Sequence, residues 1–254
     1  MQIGVENGAH SPILGRGLEG DWGWHNDPMV EFILIHLHDV LGLALSVAVV
    51  GSYHVYLRWR DRIDPTASAL YGMNAARAAW VEGVMREGHD ILAVQTLRNS
   101  TMASTFMAST AILLIIGVLT LSAQADKMSG TWHSINALGQ YSADIWLFKL
   151  LVMLFDLLFA FFAFCLSIRL YHHIGYQINI PLDLRNEVTQ PAHVGAELNR
   201  AAIFYRLGMR AYYLTVPLLF WLFSPLLMVV ASVVLVFFLY HLDRAPSRES
   251  DLMG

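Results

Sequence analysis

Residues 211–242 read AYYLTVPLLFWLFSPLLMVVASVVLVFFLYHL, a stretch of 32 residues without Asp, Glu, Lys or Arg. About 20 apolar residues in a helix cross the hydrocarbon core of a bilayer, so this stretch predicts a membrane span. As one helix it would measure about 48 Å, which exceeds a core of about 30 Å. Pro217 and Pro225 each remove a helical hydrogen bond. We expect one tilted, kinked helix. A short re-entrant piece followed by a full span is the alternative, and it would move the C-terminus to the other side of the membrane.

Three more stretches predict spans, at about residues 32–57, 101–125 and 145–172. Hydrophobic residues make up 56% of the 254-residue chain, charged residues only 14%, and the mean hydropathy is +0.49. A soluble domain carries roughly 25% charged residues. The sequence therefore predicts an all-α integral membrane bundle of about four transmembrane helices, over residues 32–242. An N-terminal extracytoplasmic arm (1–31) precedes this domain, and a short tail (243–254) follows it.

Arginine placement predicts the orientation of the chain. The connections after the first and third spans are rich in arginine, and the positive-inside bias places such connections in the cytoplasm. We therefore expect the N-terminus outside, in a cell inner membrane. With four spans, Arg244 and Arg248 of the tail would lie outside, which mildly contradicts the bias. The arginines assigned to the cytoplasm are Arg58, Arg60, Arg62, Arg77, Arg86, Arg98, Arg169, Arg185, Arg200, Arg206 and Arg210.

The two arginine-rich connections also have helical patterns. Asp64-Pro65 is typical of a helix start, and apolar residues recur near helical spacing from Thr66 to Asn99. A similar pattern covers residues 191–210. We expect cytoplasmic amphipathic helices that lie along the membrane face or pack under the bundle. A face that docks a partner membrane protein is the alternative.

Several motifs together resemble a known family. They are NAARAAWV (74–81), VQTLRNSTMASTFMAST (94–110), the FKLL that contains Lys149, SIRLY (167–171) and GMRAYYLTVPLLFWLFSP (208–225). These residues resemble the family filed as "domain of unknown function 599", over roughly residues 40 to 245. The resemblance implies a multi-pass membrane protein of about four helices and implies no particular activity.

The richest group of potential ligands is IHLHD, residues 35–39. Imidazole and carboxylate groups are good ligands for zinc or copper. His36 and Asp39 share a helix face at i,i+3, whereas His38 points about 200° away from His36. His36 and Asp39 could form half of a metal site, completed by His133, by His25 or by another subunit. An Asp39–Lys149 ion pair is the alternative, because both residues lie at similar depth near the outer ends of their helices.

Two ionisable residues fall within the third span. Asp156 lies near its middle, and Lys149 lies seven residues earlier on the same helix face. Charged groups in a span are costly and are candidates for function. Structural pairing or a neutral, hydrogen-bonded Asp156 is one interpretation, and a proton or cation pathway is the other. At the cytoplasmic boundary, Arg98, Asn99, Arg169 and Arg210 are candidates for contact with lipid headgroups or with the connections between helices.

No sequence motif indicates an enzyme. The chain has no phosphate-binding loop, nucleophile elbow, HExxH or dinucleotide fingerprint, and no CxxCH for haem. We expect no nucleotide, no haem and no nucleic-acid partner. The first functional hypothesis is a membrane protein that binds copper or zinc at the outer end of the first helix. Small residues of the second span (Ala103, Ser104, Ala108, Ser109 and Gly117) allow close helix approach, so we expect a homo-oligomer. The alternatives are an accessory membrane subunit and a small oligomeric transporter or channel.

Overall fold

The computed structural model describes residues 37–63, 69–124 and 143–243. This part of the chain is helical, as predicted, and the long helices pack side by side. Its six α-helices are α1 (Leu37–Ile63), α2 (Ala69–Glu87), α3 (Asp90–Ser122), α4 (Ala143–Gln177), α5 (Pro191–Phe223) and α6 (Pro225–Leu242). Two short 3-10 helices, Leu182–Leu184 and Glu187–Thr189, connect α4 to α5.

The first arginine-rich connection folds as a separate helix, α2, followed directly by α3. Gly88 separates them with a φ of 70°, a left-handed conformation that glycine adopts without steric cost. Its N–H donates to the carbonyl of Val84 at 3.0 Å, which closes the end of α2. Because α3 begins at Asp90, the second span is longer at its N-terminal side than residues 101–125 predicted.

The prediction of a single kinked helix over residues 211–242 is wrong. The chain leaves the helical conformation at Ser224 (φ −164°, ψ 141°), because a residue before proline avoids the helical region. Pro225 then occupies the first position of α6, and the Ser224 hydroxyl accepts a hydrogen bond from the N–H of Leu226 at 3.3 Å. Pro217, by contrast, lies inside the continuous helix α5.

The chain reverses its direction at Ser224. Arg210, thirteen residues before Phe223 in α5, contacts Asp243, which directly follows α6, at 2.7 Å. Tyr213 likewise stacks edge-on with Phe238. The second half of α5 and α6 therefore form an antiparallel hairpin. The re-entrant alternative predicted this reversal, but it wrongly predicted a short first piece, since α5 contains 33 residues.

Contacts along α5 pair it with α4 in antiparallel fashion over most of its length. The Ser167 hydroxyl of α4 donates to the Ala201 carbonyl of α5 at 3.0 Å, near one end. Near the other end, the Lys149 ammonium lies 5.4 Å from the centre of the Trp221 ring. In addition, α3 packs on α4 and α6 packs on α1. We name the end of these helices that carries Arg60 and Arg210 the arginine-rich end, and the opposite one the Asp39 end.

Helix α2 packs under the other helices, which was one of the two placements predicted for it. It lies on the first half of α5, where the Cα of Ala78 is 3.4 Å from the position that a Cβ of Gly195 would take. Arg77 donates to the side chain of Asn74 at 3.0 Å, and the Asn199 amide donates to the Asn74 carbonyl at 3.1 Å. The buried apolar residues of this region are Val81, Val84, Met85, Ala93, Leu97, Tyr171, Ile174, Ile178, Val194, Leu198 and Ala201.

Within the described residues, four helices are long and apolar enough to cross a membrane, namely Leu37–Ile63, Asp90–Ser122, Asp144–Gln177 and Pro225–Leu242. Their outward faces carry large apolar side chains that a soluble protein would bury. Phe106, Leu113, Phe155 and Phe237 are 67%, 68%, 63% and 66% exposed. Apolar surface of this extent is compatible with lipid and not with water, so the chain has the surface of a multi-pass membrane protein.

Gly42 lets α1 approach the turn between α5 and α6. A Cβ on Gly42 would lie 2.8 Å from the Cβ of Pro225, and neither the proline ring nor the helix backbone can move easily. We predict that Gly42→Ala lowers the free energy of unfolding by about 1–3 kcal/mol through overpacking. Gly51→Ala is the matched control, because nothing lies within 4 Å of its Cβ position on the same helix. Thermal unfolding in detergent measures both, and equal melting temperatures for the two variants would contradict this packing.

Candidate functional site

A buried ion pair joins α1 to α4 at the Asp39 end. The Lys149 ammonium lies 2.6 Å from Oδ1 of Asp39, and the two residues are 5% and 8% exposed. The indole N–H of Trp221, on α5, donates to the same carboxylate oxygen at 3.1 Å. Three helices thus supply one closed set of contacts. The alternative of an Asp39–Lys149 ion pair is therefore confirmed.

The ion pair weakens the metal hypothesis for Asp39, because Lys149 and the Trp221 N–H already contact Oδ1 of its carboxylate. His38 is exposed on α1, whereas its neighbour Asp39 is buried. His36 and His133, the other candidate ligands, lie outside the described residues, as does His25. Among residues 37–63, 69–124 and 143–243, no three His, Cys, Asp or Glu side chains are grouped to hold a metal ion. Copper or zinc binding that uses His36 or His133 stays a prediction.

Asp156 is bound to α5 at mid-depth of the helices. Its Oδ2 accepts a hydrogen bond from the Thr215 hydroxyl at 2.7 Å. Lys149, seven residues earlier, is engaged with Asp39 instead, so these two residues do not pair with each other. The hydrogen-bonded interpretation of Asp156 agrees with this contact. Asp156 also lines a large cavity, which leaves the carboxylate accessible from one side.

This central cavity has a volume of about 830 Å³ and receives residues from all six helices. It reaches from Arg58 and Asp61, at the arginine-rich end, to Asp156. Apolar and aromatic side chains form much of its wall, including Leu214. The charged residues that line it are Arg58, Asp61, Arg77, Asp156, Arg206, Arg210 and Asp243.

Two arginines of this cavity differ in their partners. Arg210 forms an ion pair with Asp243 at 2.7 Å, and the Tyr53 hydroxyl donates to the same Asp243 oxygen at 2.8 Å. Arg60 reaches the backbone carbonyl of Asp243 at 3.3 Å. Arg206 is half-buried, one turn before Arg210. Among the described residues it forms no direct ion pair, although the Asp243 and Asp61 carboxylates lie near enough to attract its charge. The cavity therefore contains a cation that the protein does not neutralise by direct contact.

Sequence reasoning placed Arg206 only among the residues that set orientation, and it left Asp243 in the tail. A signal for the pair was present, since Arg210 and Asp243 directly flank the uncharged stretch 211–242. The remaining boundary candidates are not gathered at the central cavity. Arg98 and Asn99 are exposed on α3, and Arg169 is exposed on α4, where it lines a different cavity.

The model of a family described as "Protein of unknown function, DUF599" matches residues 41–248. The chain belongs to this family. No curated protein matches the chain, and no solved structure does. The DUF599 assignment agrees with the resemblance drawn from the sequence motifs, and the matched region runs from the fifth residue of α1 to just beyond α6.

Residues that carried the DUF599 resemblance make contacts between helices in this chain. The Tyr212 hydroxyl donates to the backbone carbonyl of Met107 on α3. Gly208 faces the Phe164 ring so closely that a Cβ would lie 2.7 Å from it. Pro225 contacts α1, and Lys149 pairs with Asp39. These motif residues therefore explain how the helices associate, and they do not form a single catalytic cluster.

The Asp39–Lys149 pair generates a test of its own. Lys149→Met leaves a buried carboxylate without its cation, and we predict that it lowers the free energy of unfolding by about 3–5 kcal/mol. Adding Asp39→Asn removes the uncompensated charge and keeps an acceptor for Trp221, so the double variant should regain more than half of that loss. Denaturant titration in mixed micelles measures the cycle. Additive losses in the double variant would show that the pair is not coupled.

Proposed function

We propose that this DUF599 protein is a membrane carrier for amphipathic organic anions, loaded from the cytoplasmic side through the central cavity. The observation that supports it is Arg206, which forms no direct ion pair among the described residues, in a cavity of about 830 Å³ that extends to mid-depth of the helices. This volume lies within the range of about 300–1,000 Å³ that is usual for small-molecule sites. Of the functional hypotheses that the sequence allowed, only the transporter or channel gives this cavity a role.

The topology that we propose has five membrane crossings, with α5 as the fifth. Because α5 lies along α4 and α6 returns to the level of Arg210, the chain would cross at α1, α3, α4, α5 and α6. An N-terminus outside then places the end of α6 in the cytoplasm. Arg244 and Arg248, which follow α6 in the sequence, join the other arginines on that side, and the positive-inside contradiction disappears.

Access to the cavity differs between the two ends of the helices. At the Asp39 end, α1 and α4 meet through Asp39 and Lys149, and α1 touches the α5–α6 turn at Pro225. At the arginine-rich end, the cavity wall includes Arg58 and Asp61. A solute would therefore enter from the arginine-rich side and stop below the Asp39 end, which corresponds to the inward-facing arrangement of a carrier.

The lining indicates the class of ligand. Arg206 supplies a planar guanidinium that binds carboxylate or phosphate in a bidentate manner. Leu214 and Leu239 supply apolar surface on the same cavity. A ligand with one anionic group and an apolar body fits both features. A strongly polar dianion fits less well, because Asp156 and Asp61 also line the cavity.

The ligand class can be tested with paired probes that differ only in charge. We predict that benzoate and longer aryl carboxylates raise the melting temperature of the purified protein, whereas their neutral amides do not. A ligand at 100 times its Kd adds about 2.7 kcal/mol of stability. Arg206→Gln should abolish the carboxylate effect, and Arg86→Gln, an exposed residue paired with Glu82, should retain it. Equal shifts by acids and amides, or an unchanged response of Arg206→Gln, would contradict the proposal.

Cysteine accessibility tests the opening and the orientation of the cavity. In a Cys165→Ser background, which removes the single cysteine, Leu214→Cys places a thiol in the cavity wall and Val216→Cys places one on the exposed, lipid-facing side of the same helix. We predict that a membrane-impermeant thiol reagent labels Leu214→Cys from the cytoplasmic side of sealed vesicles and leaves Val216→Cys unlabelled. Labelling of Leu214→Cys only from the outer side would reverse the proposed orientation.

A further inference from the structure

A second cavity, here named the lateral cavity, lies between α4 and α5 near the arginine-rich end. Its volume is about 460 Å³. Arg169 and His173 of α4 line it, together with Arg200 and Phe204 of α5. None of these residues lines the central cavity, so this site is separate from the proposed carrier site.

The lateral cavity continues an apolar stripe along α4. Phe155, Phe159, Phe162 and Leu166 follow one another at helical spacing and are 63%, 54%, 60% and 42% exposed. Phe159 also lines the central cavity, so the stripe passes beside that cavity, whereas the lateral cavity itself shares no residue with it. The next position on this face at the same spacing is Arg169, which is also exposed. One helix face therefore changes from apolar to cationic within a single turn, as a lipid molecule changes from acyl chain to headgroup.

The depth of this change agrees with a membrane boundary. Arg169 lies 25 residues beyond Asp144, the first residue of the α4 span, or about 38 Å along the helix. A hydrocarbon core of about 30 Å ends before that point, and the headgroup layer extends several ångströms farther. Leu166 would then lie at the edge of the core, with Arg169 and His173 at headgroup level.

The charge of the lateral cavity is uncompensated. It is lined by two guanidinium groups and by two histidines, His172 and His173, and no carboxylate is among its lining residues. Among the described residues, no ion pair is formed by Arg169 or Arg200. The Arg200 guanidinium lies 5.9 Å from the centre of the Phe204 ring, a contact that holds it toward α5 without neutralising it. An anion from outside the chain is thus the missing partner.

We infer that the lateral cavity binds the phosphate of an anionic glycerophospholipid, whose acyl chain lies along the α4 stripe. Arg169 and Arg200 contact the phosphate oxygens, and the neighbouring histidines supply further N–H donors. A free phosphate ion shares the headgroup chemistry, but it makes no use of the exposed Phe155–Leu166 stripe.

The test compares lipids that differ in headgroup charge. The full chain is reconstituted in nanodiscs of phosphatidylcholine with increasing phosphatidylglycerol, and the lipid that remains bound after gentle release is counted by native mass spectrometry. We expect retained phosphatidylglycerol in wild type and about 25-fold weaker retention in Arg169→Gln/Arg200→Gln, since each basic residue near an anionic lipid contributes about fivefold. Arg98→Gln is the matched control, an exposed arginine of α3 outside the cavity, and should behave as wild type.

The outcomes distinguish a phospholipid headgroup from free phosphate, and a loss of binding from a failure of the variant to fold. Equal retention of phosphatidylglycerol and phosphatidylcholine, or a double variant that matches Arg98→Gln, overturns the inference. Displacement of all bound lipid by millimolar inorganic phosphate also overturns it, in favour of a free-ion site. If the double variant does not fold, Arg200→Gln is compared with Arg200→Lys, which keeps the charge and should keep most of the binding. Failure here leaves the carrier proposal unaffected, because Arg169 and Arg200, the residues changed in this test, do not line the central cavity.

Discussion

The arrangement of the helices depends on the reversal of the chain at Ser224-Pro225. Backbone polar groups in a bilayer need partners within the protein, so a break in a helix must be closed locally. Pro225 has no N–H to satisfy, and the Ser224 hydroxyl accepts from the N–H of Leu226. Fewer backbone N–H groups at the start of α6 therefore lack a hydrogen-bond partner. Because the chain turns here, α6 runs back beside α5 and reaches Arg210 with Asp243. Contact of the turn with α1 at Gly42 fixes the position of the first helix as well.

Several charged side chains among these apolar helices are held by partners within the protein. A buried charge in an apolar setting is costly unless it is paired. Lys149 and Arg210 each have a carboxylate partner, and Asp156 has the Thr215 hydroxyl. Removal of either member of such a pair leaves the other buried without its partner. These contacts therefore restrict which helices can be neighbours. They explain the association of α1, α4, α5 and α6 better than a catalytic role would.

Hydropathy and depth predicted much of this structure. The spans followed from long, mainly apolar stretches, and the Asp39–Lys149 pair followed from placing both residues at a similar depth near the ends of their helices. The reversal did not follow, because Pro217 and Pro225 look alike in sequence, although only Pro225 interrupts a helix. The preceding residue distinguishes them. Ser224 caps a helix readily, whereas Val216 has no group that could replace the lost backbone bonds.

The cavities could not be predicted from sequence, since each depends on how far neighbouring helices separate. The length of the uncharged stretch 211–242 nevertheless contained usable information. As a single helix, this stretch would be longer than the hydrocarbon core of the membrane is thick. It has Ser224-Pro225 near its middle, and charges of opposite sign, Arg210 and Asp243, flank it. A hairpin of two helices satisfies all three features, because it brings the flanking charges together. One kinked helix would instead have separated them by the thickness of the bilayer.

Among the described residues, Arg206, Arg169 and Arg200 form no direct ion pair, and the surfaces that they face favour different ligands. Arg206 lines the central cavity among the helices, where a small solute could contact it directly. Arg169 and Arg200 are exposed on the outer surface of the helices, and in the proposed lipid site they face phospholipid headgroups. The same uncompensated charge therefore favours a transient ligand in the first position and a resident one in the second. Since α5 carries both Arg200 and Arg206 within two turns, a lipid bound at the lateral cavity and a solute in the central cavity would contact different faces of one helix.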